Sequence, residues 1–260
     1  GVYGKAQTLY NLPAAFITPL TISVVPAIAA CRVTHRGRES SRIAENSLRI
    51  ATVIALPMGV GLSVLSYPIM TVIYPGSHES GPELLMLMGA ASFFVCMALM
   101  MNAVLQAGGN EKYPIYSMVI GGVVKICVNW FLVADPHINI LGAPIGTLSC
   151  YAVMCVMDYI FLCRVMPERP RLGRILARPV LSCAAMGLSA WAVYGLAIRF
   201  IGGAEPGRLM MALCMCLAIG VAVIVYLVLV VLTRAVTFED MKLIPKGEKL
   251  ARLLHIRPEG

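Results

Sequence analysis

Seven polar side chains stand at telling places in an otherwise apolar sequence. Lys125 and Asn129 are four apart within VVKICVNWFLV, and Asn102 and Gln106 are four apart within MNAVLQAGG. Asp158 is the one carboxylate well inside an apolar run, and Lys5 and Asn11 stand ahead of Pro13 in YGKAQTLYNLP. Residues four apart share a helix face. An ammonium with an amide beside it can neutralise and orient an anion, whereas a lone carboxyl can take up a proton or a cation. The same residues cannot make a hydrolase. There is no P-loop and no HExxH, and His35, His78, His137 and His255 are too scattered for a triad or a metal site. Cys96, Cys127, Cys150, Cys155, Cys183, Cys214 and Cys216 lie in apolar stretches, where thiols act as small hydrophobes. The reading is of a protein that is not an enzyme and needs no cofactor. Without an ATP site, transport would draw on an ion gradient, the membrane potential or the substrate gradient.

The elements that position these groups must be membrane helices. Of the 260 residues 59% are hydrophobic and 13% charged, with a mean hydropathy of +0.81. A soluble domain carries nearly twice that charge fraction. The net charge of +8, from 21 Lys and Arg against 13 Asp and Glu, sits in short clusters between long neutral stretches. That pattern belongs to a polytopic membrane protein and not to a nucleic-acid-binding surface.

Apolar intervals over 6–31, 50–78, 84–110, 114–133, 136–157, 179–198 and 209–233 predict seven transmembrane helices, most of them at or above the roughly 20 residues a bilayer needs. Prolines such as Pro57 and Pro68 fall within or near the ends of spans, where neighbouring helices can satisfy the carbonyls they free. The connections alternate in charge. Arg32, Arg36, Arg38, Arg42 and Arg49 mark the first, Lys112 the third, and Arg164, Arg169, Arg171, Arg174 and Arg178 the fifth. The second and fourth carry no Lys or Arg, and the sixth has only Arg199 and Arg208 at its edges. By the positive-inside rule the odd-numbered connections and the C-terminus are cytoplasmic. Residue 1 then lies outside without a leader, which leads to the expectation that this chain is the C-terminal part of a longer transporter. Residues 1–233 read as the helical bundle. Residues 234–260 read as a cytoplasmic amphipathic tail: a capping-box pattern at Thr237 to Asp240 precedes Leu250, Leu253 and Leu254 on a basic helix suited to anionic lipid headgroups.

Lys125 lies about 16 Å from the cytoplasmic end of its span at 1.5 Å per residue. A cation there costs on the order of 3 kcal/mol or more against hydrocarbon, so it is expected to face a bundle interior or a wet cavity. Asp158 lies nearer the cytoplasmic side. Its open roles are a structural pair with Lys125, snorkelling to the interface, and a functional site. Asn102 and Gln106 read first as helix–helix hydrogen bonders and second as cavity lining, with Gly108 and Gly109 ending their helix. Asn11 with Pro13 predicts a kink in the first span. The methionines (Met97, Met100, Met101, Met154, Met157, Met210, Met211) read as core and lipid-facing filler.

Several strings together resemble one family. The opening YG-x-A-x-x-L-x-N-L-P, with its apolar run ending in VPAI, is similar to the helix that opens the second lobe of polysaccharide-exporting flippases. VVKICVNWFLV followed by NILGAPIGTLSCY resembles their VKI-x-x-N and GA-x-IGT helix pair. FEDMKLIPKGEKL resembles the end of the stage V sporulation protein B-like branch. The resemblance implies the multidrug/oligosaccharidyl-lipid/polysaccharide (MOP) exporter superfamily: all-helical, MATE-like transporters with two lobes around a cavity, of which this chain would be the C-terminal lobe of seven spans, the N-terminal lobe being absent. It implies undecaprenyl-pyrophosphate-linked saccharides as substrates, lipid II among them. Lys5, Asn11, Lys125 and Asn129 fall on the matching strings and become cavity candidates. Lys5 and Lys125 would attract the pyrophosphate, Asn11 and Asn129 would bond phosphate or sugar, and Asp158 would balance charge or respond to protonation. Dedicated lipid II flippases tend to carry Arg before the Leu of the opening motif, where Thr8 stands here, which favours the sporulation-type or general polysaccharide branch.

The reading is therefore a multi-pass flippase of the bacterial inner membrane for cell-wall or polysaccharide synthesis, its coupling ion (Na⁺ or H⁺) left open. Two rivals stand beside it. A cation-coupled drug antiporter of the same superfamily wants intramembrane carboxylates, of which this half offers Asp158. A non-transporting scaffold for cell-wall enzymes would depend on the tail and not on Lys125.

Overall fold

Prolines and glycines decide where the helices bend and stop. The computed structural model describes residues 1–76, 80–134, 139–201 and 207–233; the expected tail, 234–260, lies outside the described residues. The described helices are α1 (Val2–Tyr10), α2 (Leu12–Val33), α3 (Gly37–Val64), α4 (Ser66–Ile73), α5 (Gly81–Ala107), α6 (Lys112–Val133), α7 (Gly142–Val165), α8 (Leu172–Ile201) and α9 (Arg208–Leu232), with a single 3-10 turn (Asn139–Leu141) before α7. Pro13 has no N–H for the Leu9 carbonyl, and α1 passes into α2 at Asn11, whose N–H bonds Gln7 O at 3.2 Å. The expected break in the first span is there. Gly109, at φ 75°, closes α5 in the left-handed conformation that favours glycine.

Among the described residues, seven helical stretches are long and apolar enough to cross a membrane: 2–33, 37–64, 81–107, 112–133, 142–165, 175–200 and 208–232. The second differs from the expected 50–78. The arginine-rich segment read as a loop is mostly the first turns of α3, and only residues 34–36 link α2 to α3. Helical spacing explains this. Ser41, Ala44, Ser47, Leu48 and Ala51 are buried on one face, while Arg38 and Arg42 project from the other. Beyond Leu65 the short α4, with Pro68 in its first turn, takes the place of the expected last part of that span.

The bundle is organised around α5, with 61% of its span buried. One core cluster joins its C-terminal half (Cys96, Met100, Met101, Val104, Leu105) to α2, α3, α7 and α8. The other joins its N-terminal half (Leu84, Leu85, Met88, Ala91) to α1, α4, α8 and α9. Against α3 the approach is close. A Cβ at Gly89 would lie 2.8 Å from Ser63 N and 2.9 Å from Gly59 O, and a Cβ at Gly59 would lie 2.8 Å from Gly89 O. Small residues bring membrane helices together in this way, since lipid offers no hydrophobic drive for their association.

Pro57 inside α3 frees the carbonyl of Val53, and the Tyr226 hydroxyl of α9 donates to it at 2.6 Å. This is the rescue by a neighbouring helix that the sequence predicts. At one end of the bundle the connections after α2, α5 and α7 come together. Arg38 Nε lies 3.5 Å from Glu168 Oε1, Glu168 N–H donates to Ser41 Oγ at 3.4 Å, and Arg32, Gly108, Asn110 and Pro167 border one cavity of about 280 Å³. At the other end Arg208 Nε and Nη2 donate to Val72 O at 2.8 and 2.6 Å. The odd-numbered connections, expected to share a membrane face, lie together at one end of the bundle.

Candidate functional site

Among the described residues, a buried carboxyl and hydroxyl meet between α6 and α7, two antiparallel helices whose facing rows repeat every four residues. On α6 the row is Ser117, Gly121, Lys125, Asn129, Val133; on α7, in reverse, it is Asp158, Met154, Cys150, Gly146, Gly142. Four-residue rows form the ridges with which helices interlock. Ser117 Oγ lies 2.5 Å from Asp158 Oδ1. A Cβ on Gly121 would meet Met154 Cγ at 2.6 Å and Cys150 O at 3.1 Å. The Asn129 amide fills the space a Cβ on Gly146 would take, and Val133 Cγ2 lies 2.9 Å from the Cβ position of Gly142. Lys125 falls on the remaining rung, half-buried and within electrostatic range of the Cys150 thiol. The glycines thus set the register, and the register sets which polar groups meet.

Asp158 is fully buried, at 0% exposure. Ser117 Oγ also lies 3.0 Å from Pro114 O, so one hydroxyl bridges the carboxyl and a backbone carbonyl. Asp158 Oδ2 is buried with no hydrogen-bond partner. Tyr113 stacks on Phe161 at 4.7 Å between centroids and covers this end of the seam. Lys125 sits two rungs from Ser117, about 12 Å along the axis at 1.5 Å per residue. The partner of Asp158 is therefore Ser117, and of the roles the sequence left open the structural pair with Lys125 does not form. Asn129 is half-buried, and its Oδ1 is likewise a buried acceptor with no partner.

Lys5 and Asn11 lie elsewhere. The Lys5 ammonium stands 5.5 Å from the Tyr74 ring centroid, a cation–π approach at the end of the bundle opposite the arginine-rich connections. From there Gln7, Thr8, Asn11 and Thr18 lie exposed along α1 and α2, with the Thr8 and Thr18 hydroxyls turned back to Gly4 O and Ala14 O at 3.0 and 2.8 Å. Asn102, half-buried with an unpartnered Oδ1, and exposed Gln106 belong to the last turns of α5. The candidate residues thus occupy three places. α6 packs on α7 and lightly on α5, whereas α1 packs on α5 and α2. Ser117 and Tyr226 carried no signal that the sequence reading used, and Arg208 was read only as the edge of a connection. Ser117 stands eight residues before Lys125 on the same row, which was the available signal.

The family model of the lipid II flippase MurJ matches residues 2–202. The chain belongs to the MurJ family. With it comes membership of the MOP exporter superfamily and a place among multi-pass inner-membrane proteins. The lipid II flippase MurJ of Bacillus subtilis (strain 168) is 25% identical over 162 residues, 61% of this chain and 29% of that protein. The amylovoran biosynthesis protein AmsL of Erwinia amylovora is 27% identical over 131 residues, 49% of this chain and 33% of that protein. The chain thus aligns with about a third of the length of these curated relatives. An outward-facing structure of a multidrug resistance MATE family transporter of the MOP superfamily aligns over 97% of this chain and 67% of its own, at 17% identity and a TM-score of 0.38, too distant to build on. The MurJ match meets the expected superfamily, while the sporulation-type branch suggested by Thr8 and the tail finds no support in these comparisons. Thr8 in place of Arg is compatible with a MurJ-family chain.

Proposed function

We propose that this chain forms one wall of a path by which an undecaprenyl-pyrophosphate-linked saccharide crosses the bacterial inner membrane, with its arginine-rich end in the cytoplasm. The observation that carries this reading is the α1–α2 surface. A membrane helix does not turn amides and hydroxyls toward lipid when it can turn methyl groups, yet Gln7, Thr8, Asn11 and Thr18 form an exposed strip leading away from Lys5. Such a strip suits a hydrated path for a sugar–pyrophosphate headgroup whose polyprenyl tail stays in the bilayer. Lys5 supplies a charge for the pyrophosphate, Asn11 supplies donors and acceptors, and the half-buried Lys125 with Asn129 forms a second polar station on α6. The lipid-linked-saccharide character of the family and the polysaccharide role in the AmsL name support the substrate class.

The test is flipping of a labelled polyprenyl-pyrophosphate saccharide by the full-length protein in vesicles. Lys5→Ala and Lys125→Ala are each expected to slow flipping about 10- to 100-fold at equal membrane abundance, the range for losing a charged hydrogen bond of about 1.5–3 kcal/mol. Wild-type rates in both variants would remove the cations from the mechanism. Efflux of a cationic drug with no movement of the saccharide would replace the reading by the antiporter.

A further inference from the structure

Asp158 poses a question of hydrogen accounting that the substrate path does not answer. Its carboxyl is completely buried, Oδ1 meets the Ser117 hydroxyl, Oδ2 has no partner, and among the described residues no cation pairs with it. The helices packed on this stretch of α7 are α5 and α6. From α7 itself the titratable neighbour is Cys155, from α5 it is Cys96 behind Cys155, and from α6 it is Tyr113, stacked on Phe161. Arg164 and Arg169 border a surface groove with Tyr159 and Cys163. None of these brings a positive charge to the carboxyl.

Ser117 has one hydroxyl hydrogen and two acceptors in reach, Asp158 Oδ1 at 2.5 Å and Pro114 O at 3.0 Å. If Asp158 is ionised, that hydrogen goes to Oδ1, and a buried charge is left with a single hydrogen bond and no counter-ion. If Asp158 is protonated, Oδ1–H donates to Ser117 Oγ and Ser117 donates to Pro114 O. Both short contacts then become hydrogen bonds, and the unpartnered Oδ2 is a neutral carbonyl oxygen, far cheaper to bury than a carboxylate. Of the seven spans α6 is the least covered, with 11% buried, and it rests almost wholly on α7, so few contacts besides the seam hold it in place.

We propose that Asp158 is a proton-binding site, neutral while α6 and α7 are closed and able to release its proton to entering water only when the seam parts, so that movement of this helix pair is tied to proton movement. The proton site itself stands on the geometry alone; its link to transport rests on the flipping reading above.

Infrared spectroscopy of the full-length protein in lipid at neutral pH tests the site without any substrate. The expected result is a carbonyl-stretch band of an undissociated carboxylic acid, missing in Asp158→Asn and shifted in Ser117→Ala. Asp158→Asn folds, because its amide can donate to Ser117 as the acid does; Asp158→Glu keeps a titratable group and serves as the second variant. No such band in the wild type, or its loss on adding Na⁺ at fixed pH, overturns the proposal. The transport arm imposes a one-unit pH difference across vesicles, which changes a rate by at most about tenfold per coupled proton. The wild type and Asp158→Glu are expected to respond, and Asp158→Asn to flip at a rate independent of the gradient. An Asn variant as pH-responsive as the wild type makes Asp158 a structural acid and sinks the coupling. Absence of saccharide flipping in every form, with the band present, overturns the flipping reading and leaves the proton site standing.

Discussion

α5 and α6 are neighbours built from the same materials and put to opposite use. Both are apolar helices that meet a partner through glycine, α5 meeting α3 at Gly89–Gly59 and α6 meeting α7 along Gly121, Gly142 and Gly146. Around α5 the glycine crossing is one contact among many, and 61% of the span is buried between two core clusters. Around α6 the glycine seam is nearly the whole attachment, and 11% is buried. Close backbone approach therefore does not by itself make a rigid core. What decides is whether other helices close over the remaining faces. Buried polar groups follow the same division. The α5 region holds hydroxyls bonded locally, such as Ser92 Oγ to Gly89 O at 2.7 Å, with one unpartnered amide, Asn102, near its C-terminal end, whereas the α6–α7 seam brings together a carboxyl, an amide and a half-buried ammonium.

The strongest way to break the contrast is to overfill the α3–α5 crossing. In Gly89→Leu the new side chain meets backbone, Ser63 N and Gly59 O, and neither helix can yield without disturbing both cores. We expect a loss of at least ~3 kcal/mol, the upper range for overpacking, read as collapse of the monodisperse folded fraction in detergent. The matching change in the seam is Gly146→Ala. Its methyl displaces a side chain, the Asn129 amide, and α6 is free to move outward. A cost of ~1–3 kcal/mol is expected, with the folded protein still recovered and its thermal midpoint lowered less than by the Gly89 variant. Equal damage at the two sites would contradict the division between a locked centre and a loosely attached edge.

This division was only half legible in the sequence. The spans were, because twenty apolar residues between charge clusters have few other uses, and so was the alternation of basic connections, now seen gathered at one end through Arg38 and Glu168. The start of α3 was not. Arg38, Arg42 and Arg49 read as a loop because a charge inside the bilayer is costly, but a helix that extends beyond the apolar layer carries such charges without penalty. The four-residue row Lys125–Asn129 was visible within its helix. Its partners were not, because the pairing of two antiparallel helices depends on register, and register is set here by Gly121, Gly142 and Gly146, which bear no charge to attract notice. Attention to opposite charges suggested Lys125 for Asp158, whereas two rungs of the seam separate them and a serine supplies the bond.

The finest test of the locked centre concerns a single hydroxyl. Tyr226 reaches from α9 to the Val53 carbonyl that Pro57 leaves without its helical donor, so one bond both satisfies a buried acceptor and ties a peripheral helix to α3. Tyr226→Phe should cost ~0.6–1.7 kcal/mol, from the average to the largest value measured for interhelical hydrogen bonds in a membrane protein, seen as a small drop in thermal midpoint. The cause can be separated from mere loss of packing. Pro57→Ala restores an N–H at position 57 and with it the Val53 acceptor's own helical bond, so in that background the Tyr226→Phe cost should shrink toward zero. If the cost is undiminished, the hydroxyl matters for its contacts near Cys183 and not for the carbonyl that proline exposes. The measurement then decides whether the attachment of α9 depends on a proline in α3 or merely lies beside it.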